Sequence, residues 1–148
     1  MQQRVYRGGT GTPAGVADFL VQQFAQTRRQ RAQVFGEGGA VLVQIGREGR
    51  APALTVGIAH PPQDMQDIVV TMGEREWATS SASLYGTAGT LVGALFTPWA
   101  LFGLLGPLKH TLDANNVPQE VWGMIETYLI GQGAMLVSNQ QLQPPPVG

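Results

Sequence analysis

Cysteine is absent from the 148 residues, which excludes disulfides, thiolate metal sites and cysteine nucleophiles. Charge is scarce: Asp, Glu, Lys and Arg make up 13% of the chain, about half the usual share of roughly 25%. The net charge is −1, so no global field favours nucleic acid or a strongly charged partner. Two histidines are present, His60 and His110. No GxSxG, HExxH, Walker A or EF-hand pattern occurs, so the common catalytic and metal-binding signatures are missing. The first residues, MQQRVYRGGTGTPAG, contain no apolar core of a secretory signal. Synthesis in the cytosol is therefore the expectation.

The charge deficit has a location. No charged residue falls between Trp77 and Leu108, and Leu84–Leu108 is an apolar run rich in Gly and Pro. A hydrocarbon core of about 30 Å takes roughly 20 helical residues. The run is long enough for that, which predicts a membrane segment over residues 77–110. Gly89 and Gly93 form a small-xxx-small pair suited to close helix packing. Trp77, Tyr85 and Trp99 are interfacial aromatics on this reading. Pro98 allows one kinked span about 37 Å long, or a hairpin turning at Thr97-Pro98-Trp99 with a helix restart; the sequence leans to the hairpin. Trp77, Tyr85, Gly89, Gly93, Pro98 and Trp99 are the expected membrane-contacting residues. A third reading buries the stretch as a helical pair within a protein or an oligomer interface.

On either side the patterns are ordinary. Arg4–Arg7 reads as a short strand. Thr12 and Pro13 announce a helix over residues 13–30 with Val16, Phe19, Leu20 and Phe24 on one face. From residue 32 the period becomes two. Strands are expected at 32–35, 40–45, 53–59 and 67–72, with Val41, Val43 and Ile45, then Leu54, Val56 and Ile58, then Ile68, Val70 and Met72 on shared faces. Short connections make these strands an antiparallel meander. Pro118 opens a second amphipathic helix with Val121, Trp122, Ile125, Tyr128 and Leu129 at helical spacing. Residues 134–137 read as a turn or strand, and Ser138–Gly148 as a disordered tail.

The expected fold is thus α+β, with an N-terminal helix packed on an antiparallel four-stranded meander. A Gly/Pro-rich hydrophobic helix or helical hairpin follows, then a C-terminal amphipathic helix. The expected divisions are 1–76, 77–110, 111–137 and 138–148. An Arg-rich amphipathic helix, a meander closing on Gly73-Glu-Arg-Glu-Trp77, an apolar Gly/Pro stretch and a Pro-started helix with Trp122 together resemble small bacterial membrane-associated proteins. The similarity covers about residues 12–131 and implies architecture only.

Candidate chemistry is thin. His60 with Asp64 and Asp67 offers nitrogen and carboxylate ligands, but a proline-flanked loop histidine reads more simply as solvent-facing. Gly8-Gly9-Thr10-Gly11 before a helix could cradle an anion; without a P-loop lysine it reads as a tight turn. Glu74 and Glu76 around Arg75 read as the water side of a boundary, and His110 beside Lys109 as a helix-end residue. Arg28, Arg29 and Arg31 are candidate contacts to anionic lipid. Pro144–Pro146 could fill a polyproline groove on a partner. No catalytic residue, metal site or cofactor is assigned. The expected function is a membrane-attached, non-enzymatic binding head or accessory subunit of a larger assembly, with the head on the cytoplasmic side of the cytoplasmic membrane. The expected partners are a lipid bilayer and another protein, and not nucleic acid. The alternative is a soluble protein that holds a lipid or other hydrophobic ligand, or oligomerises, through its Gly-rich helices.

Overall fold

A computed structural model describes residues 1–26, 30–47, 50–80, 91–108 and 117–142. Its strands are β1 (Gln2–Arg7), β2 (Arg31–Glu37), β3 (Ala40–Arg47), β4 (Arg50–Ala59), β5 (Asp67–Arg75) and β6 (Met135–Gln141). Its helices are α1 (Pro13–Ala25), α2 (Leu91–Phe96), α3 (Pro98–Leu104) and α4 (Val117–Gly131). The strands form one six-stranded sheet in the order β2-β3-β4-β5-β1-β6, and every neighbouring pair is antiparallel. The four-stranded meander is there as β2 to β5, but it is not the whole sheet. β1 closes back on β5, with Tyr6 opposite Ile68. β6 then adds to β1 from residues expected to be mostly tail.

One face of the sheet follows directly from the alternation. Val41, Val43 and Ile45, Leu54, Val56 and Ile58, and Ile68, Val70 and Met72 are buried in one core with α1 and α4. Thr12 caps α1, its hydroxyl accepting from the Gly15 amide at 3.0 Å, and Pro13 occupies the first turn. Val16, Leu20 and Phe24 then fall on the buried side. Val121, Trp122, Ile125 and Leu129 of α4 fill the same core. Glycine lets the two helices meet: a side chain at Gly15 would strike the Tyr128 hydroxyl. Phe19 stacks on Tyr128 with centroids 5.5 Å apart. Gly133, at φ +94°, ends α4 in the left-handed turn, and the Ala134 amide donates back to the Leu129 carbonyl at 2.9 Å.

The other face corrects the expected membrane segment. Among the described residues no helix is long and apolar enough to cross a membrane. In its described part, residues 91–108, the stretch forms α2 of six residues and α3 of seven, about 9 and 10.5 Å long at 1.5 Å per residue. The break lies at Thr97, which is extended, and α3 restarts at Pro98. Leu91, Ala94, Leu95, Leu101, Leu104 and Leu105 are buried in a second core with Met1, Ala40, Leu42, Ala59 and Ala78. The described part of the stretch, residues 91–108, therefore packs on the second face of the sheet. Placement in a cytoplasmic membrane loses its basis, as does a hydrophobic helix or hairpin standing apart from the sheet.

The physical reason is complementarity between large and small residues. Where the first face carries Val, Leu and Ile, the second carries Ala40, Gly57, Ala59 and Gly73 beside Leu42. A Cβ on Gly57 would overlap the Leu95 side chain. One on Gly73 would lie 2.5 Å from the Gly106 carbonyl and 3.0 Å from the Leu105 Cβ. This closeness lets Gly106 bond to the sheet: Glu74 and Gly106 exchange amide-to-carbonyl bonds of 3.0 and 2.8 Å. Each buried leucine adds about 2 kcal/mol, so a charge-free run gains as surely from a sheet face as from lipid.

Two glycine substitutions separate packing from propensity. Gly73→Ala forces backbone apart at the Glu74–Gly106 bridge and is expected to lower unfolding free energy by about 2 kcal/mol. Gly123, mid-helix in α4 with nothing within 4 Å of an added Cβ, is expected to gain about 0.5–1 kcal/mol on conversion to Ala. Urea unfolding of both variants reads the two signs.

Candidate functional site

Several polar side chains that could do chemistry are engaged in holding the fold. In the β4–β5 loop, His60 Nδ1 donates to the Asp67 carbonyl at 2.9 Å. The Asp67 carboxylate takes a two-pronged contact from Arg7, Nε to Oδ1 at 2.8 Å and Nη2 to Oδ2 at 3.2 Å. Asp64 accepts from the Gln66 amide at 2.9 Å, the local turn favoured by an aspartate. The three residues are neighbours, yet each faces its own structural partner. Among the described residues no group of three His, Cys, Asp or Glu could hold a metal ion.

The glycine loop is also committed. The Gly8 amide donates to Gln66 and the Thr10 amide to Gln132, at 3.0 and 2.9 Å. A Cβ at Gly9 would fall 2.6 Å from the Gln132 carbonyl, so this glycine is there for close approach to the α4–β6 turn. Two amides that an anion would need are already spent.

Two polar clusters bind elements together. Between β1 and α4, Arg4 Nη1 donates to Glu126 Oε1 at 2.7 Å and the guanidinium lies 4.4 Å over the Trp122 ring. The Tyr6 hydroxyl donates to the same carboxylate oxygen at 3.3 Å, and Trp122 Nε1 donates to Gln2 Oε1 at 2.6 Å. On the opposite face Gln44 is fully buried with its amide saturated. It donates to Thr55 Oγ1 and the Glu76 carbonyl at 3.1 and 3.0 Å. It accepts from Gln33 Nε2 and the Ala78 amide at 2.8 and 2.9 Å. This network fastens the segment after β5 beneath the sheet. Glu74, expected at a water boundary, is instead buried. Arg75 donates to the carbonyls of Gly103 and Leu104 at 3.1 and 3.3 Å, where the end of α3 leaves acceptors open.

The remaining sequence candidates scatter. Trp77 is half-buried in the segment after β5, Gly93 lies in α2, and Pro98 and Trp99 open α3. Arg31 is the exposed first residue of β2. Arg28, Arg29, Tyr85, Gly89, His110 and Pro144–Pro146 lie outside the described residues. The described ones are spread over β2, the segment after β5, α2 and α3.

What the fold leaves bare is β6. It pairs with β1 on one side, and no described strand lies on its other side. Ser138 alone is half-buried; the other six residues are exposed. Met135 is 68%, Leu136 38% and Val137 42% exposed, and Ile130 on the last turn of α4 is 54% exposed. The Leu142 amide donates to the Met1 carbonyl at 2.9 Å. Antiparallel ladders alternate, so Gln140 and Ser138 turn their amides to β1 while Asn139 and Gln141 point theirs outward. The signal available in sequence was that no charged residue follows Glu126. Comparison with protein-family models, curated proteins and solved structures finds no match to this chain.

Tyr6 and Asp67 tie stability to pH. Burial above all pushes the Tyr6 hydroxyl up to about 12, against an ordinary value of 10.0, while its hydrogen bond with Arg4 acts in the opposite direction. The unfolded chain ionises first, so this contribution is full below pH 10 and lost as pH rises towards 12. The Arg7 hydrogen bond holds the Asp67 carboxyl below its usual range. That contribution is present above the ordinary carboxylate value and lost as pH falls through the lowered one. In thermal melts across pH, Tyr6→Phe should flatten the alkaline fall and Asp67→Asn the acid one. At pH 7, Tyr6→Phe should cost about 1 kcal/mol through its lost hydrogen bond.

Proposed function

We propose that the protein is a non-enzymatic assembly subunit that joins another polypeptide by extending its sheet at β6. One observation carries this reading: a seven-residue strand at the sheet edge, three of its residues apolar and none charged, has both faces exposed. An edge of this kind is a template for strand addition, and chains that avoid pairing guard such edges with charge, proline or a cover. Backbone bonds would supply affinity, while Leu136, Val137 and Met135 would offer side-chain contacts on alternate faces. The binding or accessory role expected from the lack of catalytic motifs is kept here without its membrane attachment. The engaged state of His60, Asp64 and Asp67 supports the same reading, because it leaves the best catalytic candidates in structural work.

A photo-crosslinking residue placed at Gln141, on the open edge, tests the proposal in living cells against a matched placement at Val34 in β2. Adducts are expected from position 141, much weaker ones from 34, and their loss when Val137→Lys puts a charge on the edge. Equal labelling from the two edges, or adducts indifferent to the lysine, would overturn it.

A further inference from the structure

We infer that the polypeptide added at β6 is a second copy of this chain, so that two sheets join antiparallel across a two-fold axis into one of twelve strands. The inference rests on the assembly role just proposed and names its partner.

Charge supports the second copy. Any strand brought against itself places each charge near its own repeat, and like charges facing each other are destabilising. From Thr127 onward the chain has no charge to repeat. The cations of the adjacent β1 are paired, Arg4 with Glu126 and Arg7 with Asp67. The second half of the strand is Ser138-Asn139-Gln140-Gln141, whose amide and hydroxyl groups both donate and accept and so complement their own copies.

Other occupants fit less well. Pro144, Pro145 and Pro146 carry no amide hydrogen, so the chain's own continuation is a poor ladder partner for its edge. Joining β6 to β2 of another copy would be head-to-tail, giving a ring or an open filament rather than a closed pair. β2 carries Arg31 and Glu37 at its ends, and Gly36 at φ +86° interrupts its regular extension. The contact that remains is β6 to β6, which closes at two.

The ladder restricts the register. With the outward amides at Asn139 and Gln141, an in-register antiparallel pair puts the axis at Asn139, Gln140 or Gln141. Seven residues span about 24 Å, a narrow ribbon against the roughly 800 Å² per partner of a standard interface. Exposed Ile130, Met135 and Val137 widen it, and the expected dimer dissociates in the micromolar range.

Sedimentation velocity of the purified full chain over a concentration series is the test. A monomer–dimer equilibrium is expected. Asn139→Pro removes an outward amide and no bond to β1, and it should weaken dimerisation at least tenfold, as should Val137→Lys, with circular dichroism and melting point nearly unchanged. Because the chain has no cysteine, Asn139→Cys, Gln140→Cys and Gln141→Cys can be oxidised singly. One of the three should give a disulfide-linked dimer in high yield, and Val34→Cys should not.

A monomer up to about 1 mM, or a dimer untouched by both edge substitutions, would overturn the second copy as partner. If such a monomer still gives edge-dependent adducts to another protein in cells, this inference falls and the assembly role stands. If it gives none, both fall. Should Asn139→Pro unfold the chain, Val137→Lys decides alone.

Discussion

The approach of the Leu105–Gly106 backbone to β5 is the constraint on which the second layer of this protein depends. Gly73 presents no side chain, so the Gly106 carbonyl can come within a bond's reach of the sheet. Once Glu74 and Gly106 exchange their hydrogen bonds, Leu104 and Leu105 are delivered to a face rich in alanine and glycine. α3 hangs from that point, and α2 is carried back over Gly57. The buried Gln44 amide fastens the other end by seizing the Glu76 carbonyl and the Ala78 amide. A half-satisfied glutamine there would cost more than an apolar residue, whereas a fully bonded one specifies a single path for the chain.

Covering both faces of the sheet engages polar side chains as well as apolar ones. Arg4, Tyr6, Trp122 and Glu126 join β1 to α4, while Arg7, His60 and Asp67 close the β4–β5 corner. Ion pairs so near the surface contribute little stability in isolation. Their consequence lies in what they leave over. With these groups occupied, the described sheet keeps two open backbone edges, β2 and β6, and of the two only β6 carries no charged residue. The proposed assembly role rests on that edge, where a strand without charge has no described neighbour on its outer side.

The comparison of lipid with protein as the destination of an apolar run turns on local geometry. The Leu84–Leu108 run has the length and composition of a span, and its helix break at Thr97-Pro98 is visible in the residues. Transfer free energy cannot tell the two destinations apart, because it counts area removed from water and not what covers it. The distinguishing information sits far away in the chain, in Ala40, Gly57, Ala59 and Gly73. Those residues read individually as weak strand formers. Only when β3, β4 and β5 lie side by side do they make a shallow surface on which leucines fit.

Sequence by itself determined much of the first core, though not the burial of Tyr6, Ala17, Leu108, Val117 or Ala134. The period-two positions of β3, β4 and β5 and the helical spacing of α1 and α4 identify the residues buried there, because periodicity is a local property that each element carries alone. Thr12, Pro13 and Pro118 likewise mark the helix starts through local backbone chemistry. Tertiary structure decided the rest. That β1 returns to β5 depends on pairing across more than half a hundred positions, as between Gln2 and Met72. That it receives β6 depends on pairing across nearly the whole chain, as between Gln2 and Gln141. The uncharged end of the chain therefore reads as tail until a neighbour gives it a ladder. The fate of the apolar run, the spending of the Gly8–Thr10 amides and the open edge share that cause: each depends on a partner that sequence distance conceals and folding supplies.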